Sequence, residues 1–303
     1  MSSIIQCQNL SHYYASKAAL NDVTFEVTSG EPVGLVGPNG AGKTTLLNIL
    51  CGFLRPTSGV VKLFGCSPGA AELIGKVSAL PQDSKLDPGF TIAEQLEFYA
   101  RLQGFQTHQA RAEAVRVLEA VDLDAIGKEK PLALSHGMGK RVLIAQALIG
   151  NPQIVILDEP TAGLDPVNTR NIRSVISEQV SSTTFIISSH HLEELDRLCK
   201  RVLLLDNGQM KPYQTIDADN QNLFLTVQME SYPDNEVIQT LQAIDGVVDV
   251  SSSQKNEYII EYNPVLQSRM DLQVMTCLAE KHWNYRQLLK GKSLEEKLFF
   301  DKG

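Results

Sequence analysis

No apolar run in this 303-residue chain approaches the ~18 residues needed to cross a bilayer. The opening MSSIIQCQNL has neither the basic start nor the apolar stretch of a secretory leader. The chain is therefore expected neither to span a membrane by itself nor to be secreted by that route. Cysteine is scarce: Cys7, Cys51, Cys66, Cys199 and Cys277 are scattered, odd in number and without a CxxC pair. That argues against a disulfide framework or a zinc site and fits reduced thiols packed as small apolar residues. Basic charge is in deficit, 27 Lys and Arg against 35 Asp and Glu, a net −8, which argues against bulk nucleic-acid binding. Tandem repeats are also missing, so whatever module the chain carries occurs once. What is there has the 43% hydrophobic and 20% charged balance of a folded protein, and the length suggests about two domains at roughly 150 residues each.

Ile4 to Asn9 and Val23 to Val27 read as early strands. Pro32-Val33-Gly34-Leu35-Val36 is a short apolar run bounded by glycines, the pattern of a buried strand. Leu46, Leu47, Ile49 and Leu50 then suit a helix with one buried face. Ile154 to Leu157 and Phe185 to Ile187 are further buried strands, and Val202 to Leu205 runs into the turn signal Asp206-Asn207-Gly208. Such alternation predicts an α/β fold whose sheet has a parallel core, with ligands at the carboxyl ends of its strands. Between 83 and 150 the pattern turns helical. Thr91 is placed to cap Ile92 to Ala100, and Ala112 to Val121 continues at helical spacing.

Gly37-Pro38-Asn39-Gly40-Ala41-Gly42-Lys43-Thr44 matches GxxxxGK[ST] without a mismatch, after a strand and before a helix. The glycines let backbone N–H groups turn inward around phosphate oxygens, where side chains would intrude. The helix that follows points its positive end at the same phosphates. Lys43 supplies a point charge for the β- and γ-phosphates. The Thr44 hydroxyl suits Mg²⁺, and Thr45 reaches the α-phosphate side. The strand Ile154 to Leu157 ends in Asp158-Glu159. Phosphoryl transfer needs a held metal and a positioner for water. Asp158 is placed to hold Mg²⁺ and Glu159 to take the water's proton.

With these motifs in order, residues 3–215 resemble the nucleotide-binding domain of an ABC transporter, a P-loop NTPase fold with a helical subdomain at about 83–150. The resemblance implies further roles. Tyr14 matches an aromatic that stacks on adenine, with Tyr13 its neighbouring candidate. Gln82 matches the glutamine loop that contacts Mg²⁺ and couples to the membrane partner. Leu134-Ser135-His136-Gly137-Met138 occupies the signature position, and Ala162-Gly163-Leu164-Asp165 matches the D-loop along the dimer seam. His190, in Ser188-Ser189-His190, matches the switch histidine at the γ-phosphate, in preference to the adjacent His191. The signature departs from the usual LSGGQ: His136 replaces its first glycine and Met138 its glutamine. Ser135 and Gly137, which address a γ-phosphate held by the other subunit, remain. A working signature is expected, with altered packing. Methionine at this place resembles exporter-type members.

Beyond about Tyr213 the resemblance ends. Leu223, Leu225 and Val227 alternate, Val237, Ile238, Leu241 and Ile244 form a helical stripe, and Val248, Val250, Tyr258, Ile260 and Tyr262 alternate again. Leu266, Met270, Val274 and Leu278 repeat every four residues, and Trp283 to Leu289 suits a last strand. Residues 216–303 thus read β-α-β-β-α-β, a small ferredoxin-like α+β domain, expected to support the dimer or contact a partner. Ser293 to Phe299 resembles the tail of ATPase subunits in the ABC-2 exporter group. Cys277 and His282 have no evident partners for a metal.

The resemblance implies an ATPase that binds ATP with Mg²⁺ and works as a dimer, with a second copy or a paired ATPase subunit. It implies that this pair drives a separate transmembrane permease from the cytoplasmic face of the membrane. A soluble ABC ATPase of translation or DNA repair would show two fused modules or a long coiled coil, and this chain has neither. A module that holds ATP without turnover would not need Lys43, Asp158, Glu159 and His190 intact.

Overall fold

In the computed structural model two long strands open the chain. They are β1 (Ser3–Tyr14) and β2 (Lys17–Thr28), paired antiparallel about a turn in which Ala15 takes φ 51°. The residues described are 3–30, 32–190, 195, 198–199, 201–211, 223–230, 232–264, 266–267 and 269–290. His191 and the Ser293 to Phe299 tail singled out above lie outside them. The chain divides into two units, Met1–Tyr213 and Gln214–Gly303.

In the first unit follow β3 (Val33–Val36), α1 (Lys43–Leu50), β4 (Ser58–Leu63) and β5 (Val77–Leu80). Three helices come next: α2 (Ile92–Leu102), α3 (Thr107–Glu119) and α4 (His136–Ala147). Then β6 (Ile154–Asp158), α5 (Pro166–Gln179), β7 (Thr184–Ser189), β8 (Arg201–Asp206) and β9 (Gln209–Lys211) complete it. Two sheets result. One is antiparallel in the order β2-β1-β4, and the other runs β5-β6-β7-β3-β8-β9. The second is parallel from β5 to β8, as the alternation predicts, and β9 returns antiparallel. That return is made at Asn207 and Gly208, with φ 48° and 76°, the left-handed pair a two-residue hairpin requires.

Strands β3, β6 and β7 are buried at every position, because their sheet is covered on both faces. Helix α1 carries Leu46, Leu47, Ile49 and Leu50 into one core with Ile5, Leu10, Leu20 and Val27 of the antiparallel sheet and Leu35, Ile156 and Ile186 of the parallel one. This apolar face is what fixes the helix behind the Gly37 to Thr44 loop.

The helical segment is held by its own polar devices. Thr91 caps α2 in a full capping box: Glu94 N–H donates to Thr91 Oγ1 at 3.3 Å, and Thr91 N–H to Glu94 Oε2 at 2.7 Å. Such a cap is worth about 1 kcal/mol. Arg116 of α3 donates to both oxygens of Glu113, at 2.5 and 2.9 Å, and to Leu148 O at 2.9 Å. Gly150 N–H donates to the same carboxylate at 2.7 Å. The pair therefore clamps α3 to the end of α4. Burial pulls the Glu113 carboxyl upward, but the bonds from Arg116 and Gly150 outweigh it and hold it below its ordinary value.

The second unit comprises β10 (Leu223–Met229), α6 (Asp234–Gln242), β11 (Val247–Gln254), β12 (Glu257–Tyr262), α7 (Met270–Glu280) and β13 (Tyr285–Lys290). Its sheet is antiparallel in the order β11-β12-β10-β13, so two β-α-β units interleave. Val237 and Leu241 of α6 and Met270, Val274 and Leu278 of α7 pack on Leu225, Val227, Tyr258 and Ile260. Leu266, counted above in the four-residue stripe, is 69% exposed, and the helix begins only at Met270. The hydroxyl of Tyr258 donates to Asp234 Oδ1 at 2.5 Å. No helix among the described residues is long and apolar enough to cross a membrane.

Candidate active site

The loop from Gly37 to Thr44 leaves the carboxyl end of β3, which lies between β7 and β8. Its glycines are required for two separate reasons. A Cβ at Gly37 would stand 2.1 Å from the Leu205 carbonyl oxygen, and one at Gly42 would stand 2.4 Å from that of Ala19. Both positions are closed by backbone that cannot yield. Gly40 has open space around it, but its φ is 82°, which L side chains rarely adopt. Asn39 and Gly40 are exposed at the tip, while Gly37 and Ala41 are buried at the base. Helix α1 starts directly after, with Gly42 as its cap and no side-chain oxygen over its first amides. Its free N–H groups thus face the loop. Thr44 is exposed and Thr45 half-buried in that first turn.

Lys43 is buried, and its Nζ donates to Gly37 O at 2.6 Å and Pro38 O at 3.4 Å. It also stands 4.0 Å from Glu159 Oε1, with both side chains only 8% exposed. At that separation two unit charges attract by about 4 kcal/mol at an effective dielectric near 20, much of it offset by desolvation.

Asp158 and Glu159 end β6, beside the end of β7. Parallel register sets Asp158 opposite Ser188. The fully buried Ser188 hydroxyl donates to Asp158 Oδ1 at 2.5 Å and accepts from Glu159 N–H at 2.9 Å. One side chain therefore fixes both acidic residues. Glu159 takes φ 50°, a left-handed conformation uncommon away from glycine. It turns the side chain out of the strand alternation, so Asp158 and Glu159 do not simply point to opposite faces. Glu159 Oε2 lies 2.8 Å from His190 Nδ1. At that distance the imidazole and the carboxylate are hydrogen-bonded. Glu159 is thus bracketed by Lys43 on one oxygen and His190 on the other. Cys51, at the end of α1, has its thiol pushed up to about 12, first by burial and second by the charge of Asp158, so it offers no thiolate nucleophile here.

Ser135, Gly137 and Asp165 form a second cluster. Ser135 caps α4, its Oγ accepting from Met138 N–H at 3.2 Å. Asp165 caps α5, its Oδ1 accepting from Val167 N–H at 2.9 Å and Asn168 N–H at 3.0 Å. Those bonds hold its carboxyl below the ordinary range, the Asn168 backbone bond first and its side-chain amide second. A Cβ on Gly137 would stand 2.3 Å from Asn168 Cγ, and one on Gly163 would lie 3.6 Å from His136 Cε1. The signature turn and the D-loop are therefore packed together.

Two further sequence candidates are exposed. Tyr14 ends β1, 52% exposed, its ring meeting His12 edge to face at 4.8 Å. Gln82 is exposed two residues beyond β5, whose Leu80 pairs with Leu157. Ser188, named in the sequence only as a neighbour of His190, and Asn168 belong to the geometry without having been given a role by motif. A buried hydroxyl closing an apolar strand was the available signal for Ser188. An amide three residues after a capping aspartate was the signal for Asn168.

Comparison with known proteins follows the same lines. The family model described as ABC transporter matches residues 20–162. The chain is 37% identical over 211 residues to Nod factor export ATP-binding protein I of Burkholderia thailandensis, covering 68% of each chain. It is 35% identical over 211 residues to linearmycin resistance ATP-binding protein LnrL of Bacillus subtilis, again covering 68% of each. Among solved structures, the ATP binding subunit of an ABC transporter superposes with TM-score 0.64 and 28% identity, over 71% of this chain and 90% of that one. A dimeric ATP-binding cassette in a post-hydrolysis state, bound to ADP and Pi, superposes with TM-score 0.64 and 26% identity, over 71% of this chain and all of that one.

Proposed function

The chain belongs to the ABC transporter family, and from that premise we propose that it is the ATP-hydrolysing subunit of an exporter, driving a separate transmembrane permease from the cytoplasmic face of the membrane. The observation that carries the reading is the meeting of Lys43 and His190 on the two oxygens of Glu159 beside the Gly37 to Thr44 loop. Relatives named for Nod factor export and linearmycin resistance support the direction of transport.

The loop amides and the α1 N-terminus receive the phosphates, Lys43 neutralises the β- and γ-phosphates, and Tyr14 offers an open ring face to adenine. Asn39, Gly40 and Ala41 line the loop; Thr45 serves the α-phosphate side. The oxygen-only set of Thr44 hydroxyl, Asp158 carboxylate and Gln82 amide fits Mg²⁺, and Asp158 is already oriented by Ser188. Bound there, the ion offsets charge on the transferring phosphoryl group. Glu159 accepts the proton as the water oxygen bonds to the γ-phosphorus and the bond to ADP breaks. His190 orients Glu159 through Nδ1 and serves the γ-phosphate as the switch histidine.

Each copy carries a Lys43–Asp158–Glu159–His190 half and a Ser135–Gly137–Asp165 half. Two copies therefore complete two sites, with ATP between them. Closure on ATP and reopening after hydrolysis reach the permease through Gln82 and α2. The outer side of α2 leaves Phe98 at 57% and Leu102 at 64% exposure, with Phe90 at 54% just before it, an apolar surface suited to a partner. ATP turnover tests the reading. The wild-type chain hydrolyses ATP with Mg²⁺, and Lys43→Ala loses nucleotide binding or hydrolysis. Unaltered kinetics in that variant refute it.

A further inference from the structure

We propose that Asn168 is the positioning residue that locks the signature turn to the D-loop, so that the state of a chain's own nucleotide site reaches the residues it offers to its partner's ATP. The proposal rests on the reading that Ser135 and Gly137 serve the partner's nucleotide. Asn168 lies in the first turn of α5, three residues after Asp165. Its Nδ2 donates to Asp165 Oδ2 at 2.5 Å, while its backbone N–H donates to Oδ1 at 3.0 Å. One residue therefore holds both oxygens of Asp165.

The same carboxamide lies on Gly137. A Cβ built there would stand 2.3 Å from Cγ and Oδ1 and 2.7 Å from Nδ2. No side chain is admitted at 137 while Asn168 keeps this pose. Gly137 is the second residue of α4, two residues after the Ser135 cap. Movement of Asn168 therefore moves the amides and hydroxyl that the signature presents. The connection back to the chain's own site is short. Glu159, which touches Lys43 and His190, is followed by a tight segment in which Ala162 N–H donates to Glu159 O at 3.2 Å and Leu164 N–H to Thr161 O at 3.1 Å. That segment ends at Asp165. A change at the end of β6 thus passes through a rigid turn to Asp165, to Asn168 and onto Gly137. This is a contiguous packed route between two sites.

The experiment compares the full chain with Asn168→Ala, Asn168→Asp, Gly137→Ala and the Gly137→Ala/Asn168→Ala pair. Asp fills the same space as Asn but sets a second carboxylate against Asp165. Affinity for a fluorescent ATP analogue is measured at protein concentrations too low for dimerisation. Dimerisation with ATP is measured by light scattering in the Glu159→Gln background, and the Hill coefficient is taken from wild-type-background turnover. Both Asn168 variants are expected to keep monomer affinity within about twofold, to weaken the ATP-driven dimer about tenfold and to bring the Hill coefficient toward 1. Gly137→Ala is expected to abolish the dimer, and the paired substitution to restore part of it, because it removes the atoms the new methyl group meets. Unchanged dimerisation and Hill coefficient in both Asn168 variants overturn the proposal. So does an Asn168→Asp chain that behaves as wild type, which would make Asn168 a space filler, and so does failure of the rescue. Should Asn168→Ala not fold, Asn168→Asp decides. If the wild-type chain itself neither turns over ATP nor dimerises with it, the functional reading fails first, and visibly apart from the variants.

Discussion

Replacing Ser188 with alanine probes how the two acidic residues are held. The hydroxyl is fully buried, so no water takes its place. Its loss leaves the Glu159 N–H without its acceptor and removes the bond the hydroxyl donates to the Asp158 carboxylate. An unpaired buried N–H costs about 1–3 kcal/mol, and a bond to a charged acceptor contributes about 1.5–3 kcal/mol. Taking the lower end of each gives about 2.5 kcal/mol. In a unit the size of Met1–Tyr213, 1 kcal/mol corresponds to a midpoint shift of about 2–4 °C, so the expected drop is about 5–10 °C. Calorimetry follows that unit. The single tryptophan, Trp283, lies in the other unit and its fluorescence serves as the internal control. Turnover should also fall, by about tenfold to a hundredfold, because Asp158 and Glu159 lose their fixed geometry. A midpoint within about 2 °C of wild type, with turnover unchanged, refutes the reasoning.

Two further outcomes follow from the same geometry. Gly42→Ala places a methyl 2.4 Å from the Ala19 carbonyl oxygen at a residue with φ 105°, and it should abolish ATP binding by titration calorimetry; wild-type affinity contradicts the cradle as described. The Glu113 carboxyl is held below its ordinary value of 4.5, so its contribution to stability is present above that pH and is lost as pH falls through the lower folded value. The midpoint gap between wild type and Glu113→Gln should therefore be constant near neutrality and shrink below about pH 4.5, and a gap independent of pH through acid denies the clamp.

The residues proposed for the site carry a sequence signal wherever chemistry forces residue type and spacing together. Gly37, Gly40, Gly42 and Lys43 are such a case, since phosphate binding tolerates few alternatives. The Asp158-Glu159 pair was visible because an apolar strand ends abruptly in two charges. Strands β4 and β5 carried little signal: Ser58–Leu63 has only Val60, Val61 and Leu63 as apolar residues, and Val77–Leu80 is four residues long. The separate antiparallel sheet was therefore invisible, although its strands β1 and β2 were each detected in part. The left-handed turn at Glu159 had no local signal either, because glutamate has no preference for that conformation. Contacts made across the chain, such as Asn168 on Gly137, depend on tertiary packing that no spacing encodes.

The account turns on two copies closing around ATP, with Glu159 taking the proton of the attacking water. The most direct measurement is the molar mass and ATP turnover of the Glu159→Gln chain at saturating ATP and Mg²⁺. The account predicts a stable species of twice the chain mass, formed only with ATP, and turnover reduced at least a hundredfold. A chain that stays monomeric under those conditions, or that hydrolyses ATP at the wild-type rate, contradicts it.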